Sequence, residues 1–155
     1  MFFLQFIHLL SVSLWIGALV FFSFIVAPAI FKTLPREAAG DVLAHLFPKY
    51  YGLGCLCAVL SLGSLALLSA HSNAWYEARM MVLAFMTLII FYSAFVMGPK
   101  VRELKTRLRA IKNQPDHAEK SKTFKRLHGF SMVLNLLVVI AGIVLLFLTA
   151  LDFQT

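Results

Sequence analysis

The chain has 155 residues, 61% of them hydrophobic and 14% charged, with a formal net charge of +7 and a mean hydropathy of +0.85. No soluble core of this size absorbs so much apolar surface, so most of it must face lipid or a neighbouring helix. The apolar runs are unbroken, which excludes a β-barrel with its alternating strands of about 10 residues.

Four apolar segments follow one another at about 2–31, 51–70, 80–97 and 127–151. Each is long enough to cross a hydrocarbon core as a helix, which takes about 20 residues. The first begins without a basic region, since Met1 is followed by Phe2 and Phe3, and it exceeds the apolar run of a signal peptide. Ala27-Pro28-Ala29 imitates a cleavage site but lies too deep, so the segment is expected to stay as a span. Along it, Gln5, His8, Ser11 and Trp15 share one helical face.

The first connection, 32–50, has Pro35 to open a short helix and Pro48 to interrupt it. Ala39, Val42, Leu43, Leu46 and Phe47 lie on one face, which predicts a helix lying in the membrane interface. In the second segment, Gly54-x-x-x-Ala58 is a small-residue pair that lets helices approach closely. Cys55 and Cys57 point about 200° apart and serve packing rather than pairing. Trp75 and Tyr76, in the short second connection, suit the outer headgroup level.

The third connection, 98–126, holds ten of the fourteen Lys and Arg against Glu103, Asp116 and Glu119, so it alone accounts for the net charge. Val101, Leu104, Leu108 and Ile111 recur at helical spacing between the cations. They predict a basic amphipathic helix that either extends the third span or folds onto the membrane. Residues 113–121 read as the turn before the fourth span. Beside a span, such a loop is a topology signal and a contact for anionic lipid, not a nucleic-acid site. Thirteen of the fourteen cations fall in the first and third connections, which predicts that both termini lie outside the cytoplasm. The expected fold is all-α: one domain, 1–155, forming a polytopic antiparallel bundle of four transmembrane helices with short interfacial helices on the cytoplasmic side.

Polar side chains inside spans face the bundle interior. In the fourth span His128, Ser131 and Asn135 share a face, with Gly142 and Thr149 on roughly the same side. His8 belongs to the outer end and His128 to the inner, a separation on the order of 20 Å, so they cannot ligate one ion. At the outer end His8, His71 and Asp152, with Glu77, Met80 and Met81 nearby, form a candidate metal or haem site. At the inner end Tyr50 should lie beside His128, Ser131 and Asn135, and the family-like blocks described below add Arg36 to this candidate ligand-binding centre. No nucleophile–base motif, phosphate loop or His-Glu-x-x-His run occurs, so no catalytic residues are assigned.

Several blocks carry a family resemblance. They are His8-Leu9 with Ser13-Leu14-Trp15-Ile16-Gly17, then Phe31-Lys32-x-Leu34-Pro35-Arg36, Leu46-Phe47-Pro48-x-Tyr50 and Phe124-x-Arg126-Leu127-His128-Gly129-x-Ser131-x-x-x-Asn135. They resemble the transmembrane protein 205-like family, whose bacterial members are filed under a domain of unknown function. The resemblance implies four membrane spans. A eukaryotic relative is associated with platinum-drug resistance and vesicle trafficking, which implies handling of soft metals or export. A looser similarity links the His8 and Trp15-x-Gly17 pattern to haem-pathway oxidases and copper-resistance D-type proteins. That similarity implies His8 as a haem ligand with His71 as the second.

The resulting expectation is a non-enzymatic bacterial inner-membrane protein that binds or passes a small ligand, or assembles with a partner. No cofactor is expected on the leading reading. The alternatives are a haem or transition-metal protein built on His8, and a structural subunit of a larger membrane complex. A homodimer or a partner membrane protein is expected as the assembly.

Overall fold

The computed structural model describes residues 2–68, 75–111 and 117–152, the side chains of His117 and Asp152 excepted. Six α-helices and two π-helical turns make up nearly all of the described residues, and no strand occurs among them. Helix α1 (Phe2–Phe21), a π turn (Phe22–Val26) and α2 (Ala27–Thr33) form one apolar rod. Helix α3 (Arg36–Leu67) forms the second. Helix α4 (Tyr76–Tyr92), a second π turn (Ser93–Met97) and α5 (Gly98–Ala110) form the third, and α6 (His117–Asp152) the fourth. All four rods are long and apolar enough to cross a membrane.

The rods close into a ring: α1 packs on α3, α3 on α4, α4 on α6 and α6 back on α1. Trp15 and Leu19, Ala58 and Leu65, Met86 and Ile90, Val138 and Leu145 fill the interior, each at most 2% exposed. Large apolar side chains such as Phe2, Leu88 and Phe95 instead point outward, an exposure that suits lipid and not water. Two glycines set the closest approaches. A Cβ at Gly54 would meet Ile90 at 2.9 Å, and one at Gly142 would meet Ile16 at 2.7 Å. Gly17 and Gly63, by contrast, have nothing within 4 Å of an added Cβ.

Both π turns stand directly ahead of a proline. The amide of Ala27 reaches the carbonyl of Phe22, five residues back, and Pro28 follows. The amide of Gly98 likewise reaches the Ser93 carbonyl, and Pro99 follows. A proline ring collides with the carbonyl four residues earlier in a regular helix. The extra residue of a π turn widens the helix at that point and relieves the collision.

Pro48 behaves differently. The sequence predicts a break there, whereas α3 runs unbroken from Arg36 to Leu67 with Pro48 inside it. Pro48 is exposed and borders the cavity described below, so its ring is not packed within the closed core. The loss is one hydrogen bond, from residue 48 to the Ala44 carbonyl, which spanning helices tolerate. Residues 36–50 are therefore an extension of the second span and not a separate interfacial helix. Likewise α5 continues the third span, the first of the two arrangements its amphipathic pattern allows, and α6 starts at His117, ahead of the apolar stretch. The bundle thus carries three helical extensions at one end, and this is the basic end.

Candidate functional site

The extensions enclose a cavity of about 290 Å³ at the basic end. Helix α3 contributes Arg36, Gly40, Leu43, Ala44, Phe47 and Tyr51, a spacing of three and four that keeps them on one face. The third rod contributes Met97, Gly98, Val101, Arg102, Lys105 and Leu108. Phe31 from α2 and Phe124, His128 and Ser131 from α6 complete the wall.

The end of the cavity nearer the bundle core is aromatic. Phe47 stacks on Tyr51 at 5.8 Å, and Tyr50 stacks on Phe22 of the first π turn at 4.9 Å. The π turn thus presents Phe22 to the α3 aromatics, linking the first of the two proline-adjacent irregularities to the cavity wall. At the other irregularity, Gly98 lies against Tyr51; a Cβ there would sit 3.3 Å from the ring and 3.2 Å from the Ser93 carbonyl. Tyr51 Oη lies 3.4 Å from Ser131 Oγ, a hydrogen bond in which either hydroxyl can donate. His128 stacks parallel to Phe124, one turn earlier on α6.

Nearer the open end the wall turns cationic. Lys105 Nζ donates to Asp41 Oδ1 at 2.9 Å, and Arg109 bonds the same carboxylate oxygen. Arg107 pairs with Glu103, four residues earlier. Arg36 and Arg102 have no carboxylate partner among the described residues.

Of the five residues proposed from sequence for this end, Arg36, His128 and Ser131 line the cavity. Tyr50 and Asn135 do not. Tyr50 is turned toward Phe22, and its buried hydroxyl has no hydrogen-bond partner among the described residues. Tyr51, one residue on, takes the lining position. Sequence reasoning also missed Arg102, Lys105 and Gly98. The signal for the first two was the amphipathic stripe of α5, whose apolar side needs a partner face once the helix continues the third span.

At the opposite end, His8 is 2% exposed, and its Nδ1 lies 3.1 Å from the Ser61 carbonyl and 3.3 Å from Ser61 Oγ. The carbonyl can only accept, so the Nδ1-protonated form makes that bond. Ser64 Oγ donates to the same carbonyl at 3.0 Å. His71, expected beside His8 as a metal or haem ligand, lies outside the described residues, as does the side chain of Asp152. Among the described residues no group of three or more His, Cys, Asp or Glu is arranged to hold a metal ion. Gln5, the first member of the polar stripe, is exposed, while Ser11 and Trp15 are buried.

Residues 10–110 match a family described as "Domain of unknown function (DUF4149)". An uncharacterized protein of Aquifex aeolicus is 33% identical over 132 residues, covering 85% of this chain and 84% of its own length. No solved structure matches. The matched region contains α3 and α5, which bear most of the cavity wall. The chain belongs to this family of unknown function, as an all-helical integral membrane protein with four spans.

Proposed function

We propose that this protein binds a small, largely apolar ligand in the basic-end cavity, and that this end faces the cytoplasm of the bacterial inner membrane with both termini outside. The observation carrying the reading is the cavity itself: a concave, mainly apolar space with a few convergent polar groups, the usual form of a small-molecule site. Binding is favoured over catalysis because Ser131 pairs with Tyr51 and not with His128, so no base is positioned on that hydroxyl. The concentration of Lys and Arg beside the third and fourth spans supports the orientation. The wider transmembrane protein 205-like grouping is part of the proposal. Phe47-Pro48 and His128-x-x-Ser131, which come from separate blocks of that resemblance, converge on one cavity.

The test is native mass spectrometry on mildly purified protein, comparing the wild type with Ala44→Trp, which fills the cavity from a half-buried position. The wild type should carry a small molecule at one per chain, and the variant should lose it while keeping its helical circular dichroism. Equal retention, or no ligand on either protein, would overturn the reading. For orientation, a periplasm-dependent reporter fused after Thr155 should be active; activity of a cytoplasm-dependent one would reverse it.

A further inference from the structure

Resting on the cavity as a binding site, we propose that its occupant is an anionic single-chain amphiphile. The apolar chain lies among the wall residues, and a carboxylate or phosphate head is held by Arg36 and Arg102.

The first support is charge. Arg36, Arg102 and Lys105 line the cavity, and among the described residues no carboxylate does. Asp41 stands just outside and is already shared between Lys105 and Arg109. Arg36 and Arg102 have no carboxylate partner among the described residues. Both guanidinium groups are exposed at the mouth of the cavity, where they can bind a carboxylate or phosphate with paired hydrogen bonds.

The second support is the backbone beside them. Arg36 is the first residue of a 32-residue helix whose N-cap, Pro35, offers no side-chain cap. The first amide bonded back into the helix start is that of Ala39, to the Pro35 carbonyl at 2.9 Å. The helix-start amides before it have no intrahelical acceptor, and together with the helix dipole they favour negative charge at this rim.

The third support is shape. From Arg36 to Tyr51 the helix rises about 22 Å, passing from the cationic rim to the aromatic end formed by Phe47 and Tyr51. Between them, Leu43, Met97, Val101 and Leu108 offer only hydrocarbon or thioether surface. A free anion would leave that depth unfilled, and a neutral chain would leave two arginines unmatched. An acidic headgroup on one apolar chain satisfies both, and the bilayer beside the cavity is its source.

The experiment uses the full chain in phosphatidylcholine nanodiscs, titrated with dodecyl phosphate, uncharged dodecanol and inorganic phosphate. Dodecyl phosphate should saturate at one per chain and bind about tenfold or more tightly than dodecanol. Arg36→Gln with Arg102→Gln should remove that margin and leave dodecanol unchanged, and the corresponding Lys variants should restore part of it. If dodecyl phosphate and dodecanol bind alike and Ala44→Trp blocks both, the anionic inference fails while the cavity remains a ligand site. If inorganic phosphate competes as well as dodecyl phosphate does, the site is a headgroup site and the amphiphile is wrong. If neither chain binds the wild type, the cavity reading falls as well.

Discussion

Tyr51 Oη lies 3.4 Å from Ser131 Oγ, joining α3 to α6 at the inner end of the cavity. The Tyr51 ring is held from the other side by Gly98 and stacks on Phe47, so one side chain touches the second, third and fourth rods. The hydroxyl contact is long, and hydrogen bonds between spanning helices contribute only modestly. A double-mutant cycle with Tyr51→Phe and Ser131→Ala, read by thermal unfolding in detergent, should give a coupling of about 0.5–1 kcal/mol. Strict additivity of the two variants would remove the contact from the account.

Three glycines separate crowding from simple helix propensity. Alanine at Gly142 would place its Cβ 2.7 Å from Ile16, and at Gly98 3.2 Å from a backbone carbonyl. At Gly17 it would meet nothing within 4 Å. Gly142→Ala and Gly98→Ala should each destabilise by about 1–3 kcal/mol through overpacking. Gly17→Ala should be neutral or stabilise by up to about 1 kcal/mol, because alanine is the better helix former. Gly98→Ala should also weaken ligand binding, since it displaces Tyr51. The same unfolding assay ranks the three, and a destabilised Gly17→Ala would contradict the packing described.

The four spans and the basic end were legible in the sequence because hydropathy and charge act through composition over about 20 residues. Single-residue geometry was not. Three prolines lie inside the spanning rods, yet Pro28 and Pro99 follow π turns while Pro48 sits in a regular helix. Proline chemistry is the same at all three, so only the packing around each decides the outcome. The exchange of Tyr50 for Tyr51 has a similar origin. Adjacent residues on a helix point about 100° apart, and the choice depends on where Phe22 stands, which the first π turn fixes. His128 and Ser131 were found because polar groups among apolar ones are conspicuous, and Arg36 through the Leu34-Pro35-Arg36 block of the family resemblance. Arg102 and Lys105 were hidden among many other cations.

Asp41 is shared by Lys105 and Arg109 and holds the extension of α3 against α5. Asp41 and Arg109 are each 45% exposed and Lys105 22%, so these partly solvated pairs contribute little to stability. Asp41→Asn should therefore leave the unfolding temperature nearly unchanged. It should nevertheless release two cations beside the cavity rim and tighten dodecyl phosphate binding severalfold at low salt, with the gain shrinking as salt is raised. A large loss of stability, or weaker binding of the anion, would show that the carboxylate acts as a structural anchor.

His8 and the cavity occupy opposite ends of the bundle, and their roles should separate accordingly. His8 is almost fully buried, and its ring bonds Ser61, whose carbonyl also accepts from Ser64. Removing the ring leaves both a void and a buried carbonyl with one donor fewer. His8→Ala should thus destabilise by about 2–4 kcal/mol. Binding at the cavity should stay within about twofold of the wild type, because distant sites without shared partners act independently. Unfolding and dodecyl phosphate titration on the same preparation supply both numbers. Lost binding with intact stability would mean that His8 communicates with the basic end, which would call for a conformational link along α1 or α3 in place of the purely structural role assigned to it.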